Sequence, residues 1–142
     1  MRTLAVGISL ALLFLNVGTT AAARTGVFRL ATYNVENMFD RYDDPYTLDS
    51  LREYGTQAKS ARALYALGRM IRTVNADVIA LQEVENRGFL EEFRDAYLAG
   101  LGYENVVLIE GNNSHRGGRG IDLALLSRVP VVSATTFQYR DF

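Results

Sequence analysis

Hydrophobic and polar positions alternate with different periods along this chain, and each period predicts an element. Residues 27–33 are β-rich and mixed in polarity, which predicts a strand. Residues 36–55 are polar and contain Asp40, Asp43, Asp44-Pro45, Asp49 and Gly55, which predicts a loop. Over 56–74, Ala61, Leu64, Leu67, Gly68, Ile71 and Val74 recur at helical spacing, while Lys59, Arg62, Arg69 and Arg72 take the remaining faces. Residues 78–81 are a short apolar run that suits a buried strand. Helical spacing resumes over 85–99 with Phe89, Leu90, Phe93, Tyr97 and Leu98, and Gly100 and Gly102 stop it. Asn86 is placed to cap that helix. Further strands are predicted at 106–109, 121–126 and 131–139, with a glycine-, asparagine- and arginine-rich loop over 110–120 and a turn at Arg128-Val129-Pro130. Helices interleaved with strands predict an α/β layer arrangement, in one domain or part of one.

Residues 4–17 stand apart. They are apolar except at Gly7, Ser9 and Asn16, follow Arg2, and precede small residues with an Ala-x-Ala site at Ala21 and Ala23. That layout matches a secretory signal peptide over residues 1–23. An uncleaved anchor is the alternative, but the run is shorter than the roughly 18 residues a spanning helix needs. The expectation is a mature domain over 24–142, secreted or periplasmic, with no stable membrane insertion after cleavage.

Charge narrows the functional classes. The formal net charge is −1, so a generally basic surface for nucleic acid is not available. There is no cysteine and only one histidine, His115, which excludes thiolate zinc sites and disfavours histidine-based ones. The 36–55 loop is acidic, and it reads either as solvated or as an ion site; it lacks the spaced aspartates and glycine of a calcium loop.

Candidate chemistry concentrates in Thr32-Tyr33-Asn34-Val35-Glu36-Asn37 and Leu81-Gln82-Glu83-Val84-Glu85. Each follows a predicted strand, so Asn34 and Glu83 emerge side by side at one sheet end. A carboxylate and an amide there suit a hard divalent cation and a phosphate oxygen. Taken singly, Asn34 also reads as a strand-end residue bonding local backbone, and Glu83 as a surface acid.

Together with Gly120-Ile-Asp122-Leu-Ala-Leu-Leu-Ser-Arg128, these segments resemble the endonuclease/exonuclease/phosphatase superfamily over about residues 27–132. Its members include pancreatic deoxyribonuclease, apurinic endonucleases, inositol-polyphosphate phosphatases and bacterial sphingomyelinases. The resemblance implies a four-layer α/β sandwich and metal-dependent cleavage of phosphate esters. It makes Glu83 the metal-binding glutamate and Asn34 the asparagine beside metal and scissile phosphate, both counted as catalytic. Glu36 becomes a further group near the metal, which would be Mg2+, Mn2+ or Ca2+. It implies a phosphate-ester substrate, with nucleic acid among the candidates, and places substrate contacts at His115, Arg116, Arg119 and Asp122. Arg116 and Arg119 suit phosphate by charge-assisted bonds, or simply line a surface loop. His115 either orients substrate or is solvated, and Asp122 either braces an arginine or floors the site.

Complete members also carry an Asp-x-Asn motif that positions the attacking water and a late Asp-His pair, and neither occurs here. The expected fold is therefore the N-terminal half of the sandwich, and the expected function is a nuclease-like phosphoesterase, incomplete and inactive as these 142 residues. The alternatives are a catalytically dead phosphate- or metal-binding module, or a phospholipid or small-molecule phosphatase of the same superfamily.

Overall fold

The computed structural model describes residues 26–42, 57–109 and 120–137. The signal-peptide segment, most of the acidic loop, and the loop with His115, Arg116 and Arg119 lie outside the described residues.

In chain order the described elements are β1 (Leu30–Met38), α1 (Ala61–Val74), β2 (Val78–Val84), α2 (Arg87–Tyr97), β3 (Asn105–Ile109) and β4 (Asp122–Ser127). The strands form one sheet in the order β1-β2-β4-β3. β1 and β2 are parallel, and β4 runs antiparallel to both β2 and β3. The chain is thus an α/β protein with a mixed four-stranded sheet and two helices.

Local signals set the helix limits. Ser60 caps α1, its side chain accepting from the Ala63 N–H at 3.2 Å, and Asn75 closes it in the left-handed region with φ 50°. Asn86 caps α2 by accepting from the Phe89 N–H at 2.7 Å. Leu64, Leu67 and Ile71 of α1 and Leu90 and Phe93 of α2 pack on one face of the sheet, against Ile79, Leu81, Val106, Ala124 and Leu126. Gly68 lets the helices approach, since a Cβ there would lie 3.0 Å from the Tyr97 Cβ.

The strand registers place Ala31, Ile79, Leu126 and Val106 in one row on this covered face. The opposite face holds Leu30, Thr32, Asn34, Val78, Ala80, Gln82, Leu123 and Leu125, with Leu30 71% and Leu123 67% exposed. Of the β4 residues on that face, Leu123 is exposed, Leu125 half-buried and Ser127 buried opposite Val78.

Two sequence expectations are corrected. The strand expected at 27–33 runs on to Met38, absorbing the start of the expected loop. No strand forms within 131–137, where every residue is exposed. Both edges of β4 are already paired, so the chain leaving it past Pro130 cannot fold back on β4 as a hairpin.

Candidate active site

The carboxyl ends of β1, β2 and β3 and the start of β4 meet at one edge of the sheet, because Asn34 pairs with Gln82, Gln82 with Leu123, and Leu123 with Ile109. Open α/β sheets bind ligands at the carboxyl ends of their parallel strands.

Two bulges shape that edge. Pairing between β2 and β4 passes from Gln82↔Leu123 to Val84↔Asp122, stepping over Glu83, whose φ is 66°. Side chains alternate along a regular strand, so residue 83 would share the covered face with Ile79 and Leu81. The bulge gives that position to Val84, which is fully buried in the core, and turns Glu83 toward Asn34. In β1 the pairing jumps from Asn34↔Gln82 to Met38↔Val84. The intervening Glu36 and Asn37 have φ of 54° and 55°, a left-handed pair without glycine.

Hydrogen bonds hold the two bulges together. The Asn34 Nδ2 donates to Glu83 Oε1 at 3.0 Å, and the Asn37 N–H donates to Glu83 Oε2 at 2.9 Å. The Glu36 N–H donates to Asn34 Oδ1 at 2.8 Å. A backbone N–H can only donate, so this bond fixes the orientation of the Asn34 amide and aims its NH2 at Glu83. Both carboxylate oxygens of Glu83 are thereby fixed in place.

A second network lies beside the first. The Asp40 N–H donates to Glu85 Oε2 at 2.5 Å, the Asn86 Nδ2 donates to Asp40 Oδ2 at 3.1 Å, and the Tyr42 N–H donates to Asp40 Oδ1 at 2.6 Å. Asn86 thus caps α2 with its oxygen and ties down the exit of β1 with its nitrogen. Lys59 closes the group, donating from Nζ to the Glu36 carbonyl at 2.8 Å and from its backbone N–H to the Phe39 carbonyl at 2.9 Å.

The structure brings Asn34 and Glu83 into contact. It places Glu36 on the β1 bulge, exposed, and Asp122 8% exposed opposite Val84 at the same edge. His115, Arg116 and Arg119 lie outside the described residues. Sequence reasoning missed Lys59, which it assigned to a helix face, and Asp40, which it left in an acidic loop read either as solvated or as an ion site. Ser60 is the signal that places Lys59 ahead of α1 rather than within it. Among the described residues no group of three or more histidine, aspartate or glutamate side chains comes close enough to hold a metal ion.

Fold and site define an α/β protein with an acid–amide pair fixed at the carboxyl edge of its sheet. Residues 29–141 match the family model described as the Endonuclease/Exonuclease/phosphatase family, and the chain belongs to that family. Neither the search of curated proteins nor that of solved structures gave a match. The family is typically dependent on divalent metals and acts on phosphoesters.

Proposed function

We propose that this protein is an exported, divalent-metal-dependent phosphoesterase that cleaves phosphodiester bonds as a nuclease does, with Glu83 holding the metal beside Asn34. The observation that carries the reading is the Glu83 carboxylate, fixed through both oxygens by Asn34 and Asn37 at the ligand-binding edge of the sheet. Export rests on the apolar run over 4–17 and on Ala21 and Ala23.

The donor set fits the metal. Glu83 offers hard carboxylate oxygens, with the Asn34 NH2 against one of them and the Asn34 oxygen taken up by the Glu36 N–H, and the chain has no cysteine to favour a softer ion. Magnesium takes one or two carboxylates and keeps several waters, so it does not need a cage of three acids. Glu36, exposed on the facing β1 bulge, is the candidate second carboxylate. A divalent ion held there supplies positive charge against phosphate oxygens in an acidic neighbourhood that otherwise repels them. The chain's own residues orient that site: Asn34 and Asn37 set the direction of the Glu83 carboxylate, and the Glu36 N–H sets Asn34. A ligand fixed before binding loses less freedom when the ion arrives.

The test measures Mn2+ binding by electron paramagnetic resonance, together with hydrolysis of plasmid DNA, bis-nitrophenyl phosphate, sphingomyelin and inositol phosphates. The expected result is Mn2+ binding that disappears in Glu83→Ala, without turnover by these 142 residues; joined to a segment that carries the Asp-x-Asn and Asp-His motifs, the same site should cleave the diester substrates, with nucleic acid preferred. Binding without cleavage of any substrate even with those motifs present would identify a metal-binding module instead. Hydrolysis that survives both chelation and Glu83→Ala would refute the metal reading.

A further inference from the structure

We propose that Lys59 is a positioning residue for Glu83, acting through the peptide plane that joins Glu36 to Asn37; this rests on the reading of Glu83 as the metal ligand. The Glu36 carbonyl and the Asn37 N–H belong to one rigid planar unit and point in opposite directions. Lys59 Nζ donates to that carbonyl at 2.8 Å, and the N–H at the other pole donates to Glu83 Oε2 at 2.9 Å. The ammonium and the carboxylate thus grip the same peptide from its two ends. Rotating the plane away would break both bonds together.

The grip has work to do. Residues flanking the peptide sit at φ 54° and 55°, where L-residues other than glycine rarely stay unless held. Asparagine tolerates that region, but glutamate has no local preference for it. Lys59 is itself anchored, since its backbone N–H donates to the Phe39 carbonyl at 2.9 Å and Ser60 begins the cap of α1 next to it. The start of α1 therefore sets the ammonium against the bulge. A cation on the carbonyl also polarises the peptide and strengthens its N–H as a donor to Glu83.

The experiment compares the wild-type protein with Lys59→Met, which keeps the aliphatic stem, and Lys59→Arg, which keeps a charged donor. The Asn37 amide exchange rate is followed by NMR without metal, and the Mn2+ dissociation constant by electron paramagnetic resonance. Lys59→Met should speed Asn37 exchange and weaken Mn2+ binding by about tenfold, the low end for groups that orient a metal ligand. Lys59→Arg should recover most of both. A generic loss of stability would lower the melting temperature but leave Mn2+ affinity intact well below it. Unchanged Mn2+ affinity in Lys59→Met, where the wild type binds, would overturn the proposal. If the wild type binds no Mn2+, the metal reading fails, and Lys59 is then judged on Asn37 exchange alone: faster exchange supports its grip and unchanged exchange overturns it.

Discussion

Replacing Glu83 by glycine should damage folding less than replacing it by alanine, the reverse of the order expected within a strand. Both substitutions delete the same two hydrogen bonds, at 3.0 and 2.9 Å to Asn34 and Asn37. Bonds to a charged group contribute about 1.5–3 kcal/mol when well shielded, and Glu83 is only half-buried, so the pair together is worth about 2 kcal/mol. That loss is common to both variants and cancels in the comparison. What remains is the backbone. In a regular strand alanine is favoured over glycine by roughly 0.5–1 kcal/mol. At a φ of 66° the balance inverts, because a Cβ in the left-handed region costs roughly 1–2 kcal/mol. Glycine should therefore lead alanine by about 1 kcal/mol, equivalent to about 3–5 °C in melting temperature for a domain of this size. The assay is urea unfolding followed by far-UV circular dichroism in chelator, with equal m-values required of the two variants. An alanine variant as stable as the glycine variant would mean that Glu83 has ordinary strand geometry. Its side chain would then share the face of Leu81, and the argument that turns it toward Asn34 would fail.

Two other perturbations probe the frame around the site. Tyr103 is 2% exposed and donates its hydroxyl to the Ala76 carbonyl at 2.7 Å, so Tyr103→Phe should cost about 0.5–1.5 kcal/mol in urea unfolding at pH 7. Burial raises the Tyr103 phenol above its ordinary value, with the nearby Arg128 guanidinium offsetting part of the rise. The folded state thus keeps a proton that the unfolded state gives up. The associated stability is full below the unfolded phenol's range, is lost as pH rises through the folded one, and should be missing from the alkaline limb of the Phe variant. Asn86→Ala removes both the cap of α2 and the bond to Asp40, and should cost about 1–2 kcal/mol, read as a lower urea midpoint; no change would show that neither bond holds the exit of β1.

The sequence alone determined what short-range chemistry controls. Apolar positions three and four apart located both helices, and a run of four apolar residues located β2. Asn86 could be read as a cap because a cap bonds N–H groups only a few residues away; Ser60 was not read so, and the helix expected from 56 begins at Ala61. Asn34 and Glu83 were visible because each follows an apolar run that reads as a strand, and the resemblance of their segments to a known family marked them as a pair; the structure carries both strands through them. Tertiary structure decided the rest. Whether Glu83 or Val84 enters the core depends on a register shift against β4, whose partner Asp122 lies far along the chain. The left-handed pair at Glu36 and Asn37 persists through bonds to Glu83 and Lys59, which no local propensity encodes. Lys59 looked like one more cation on a helix, and Asp40 like one more acid in a loop, until the helix start and the end of β2 came to lie against the exit of β1. The apolar residues over 131–137 looked like a strand, but β4, the strand they leave, is already paired on both sides, and they join neither open edge, β1 or β3. Periodicity tells which residues want to be buried; only the assembled sheet determines which backbone groups remain to be paired and which way a side chain turns at a bulge.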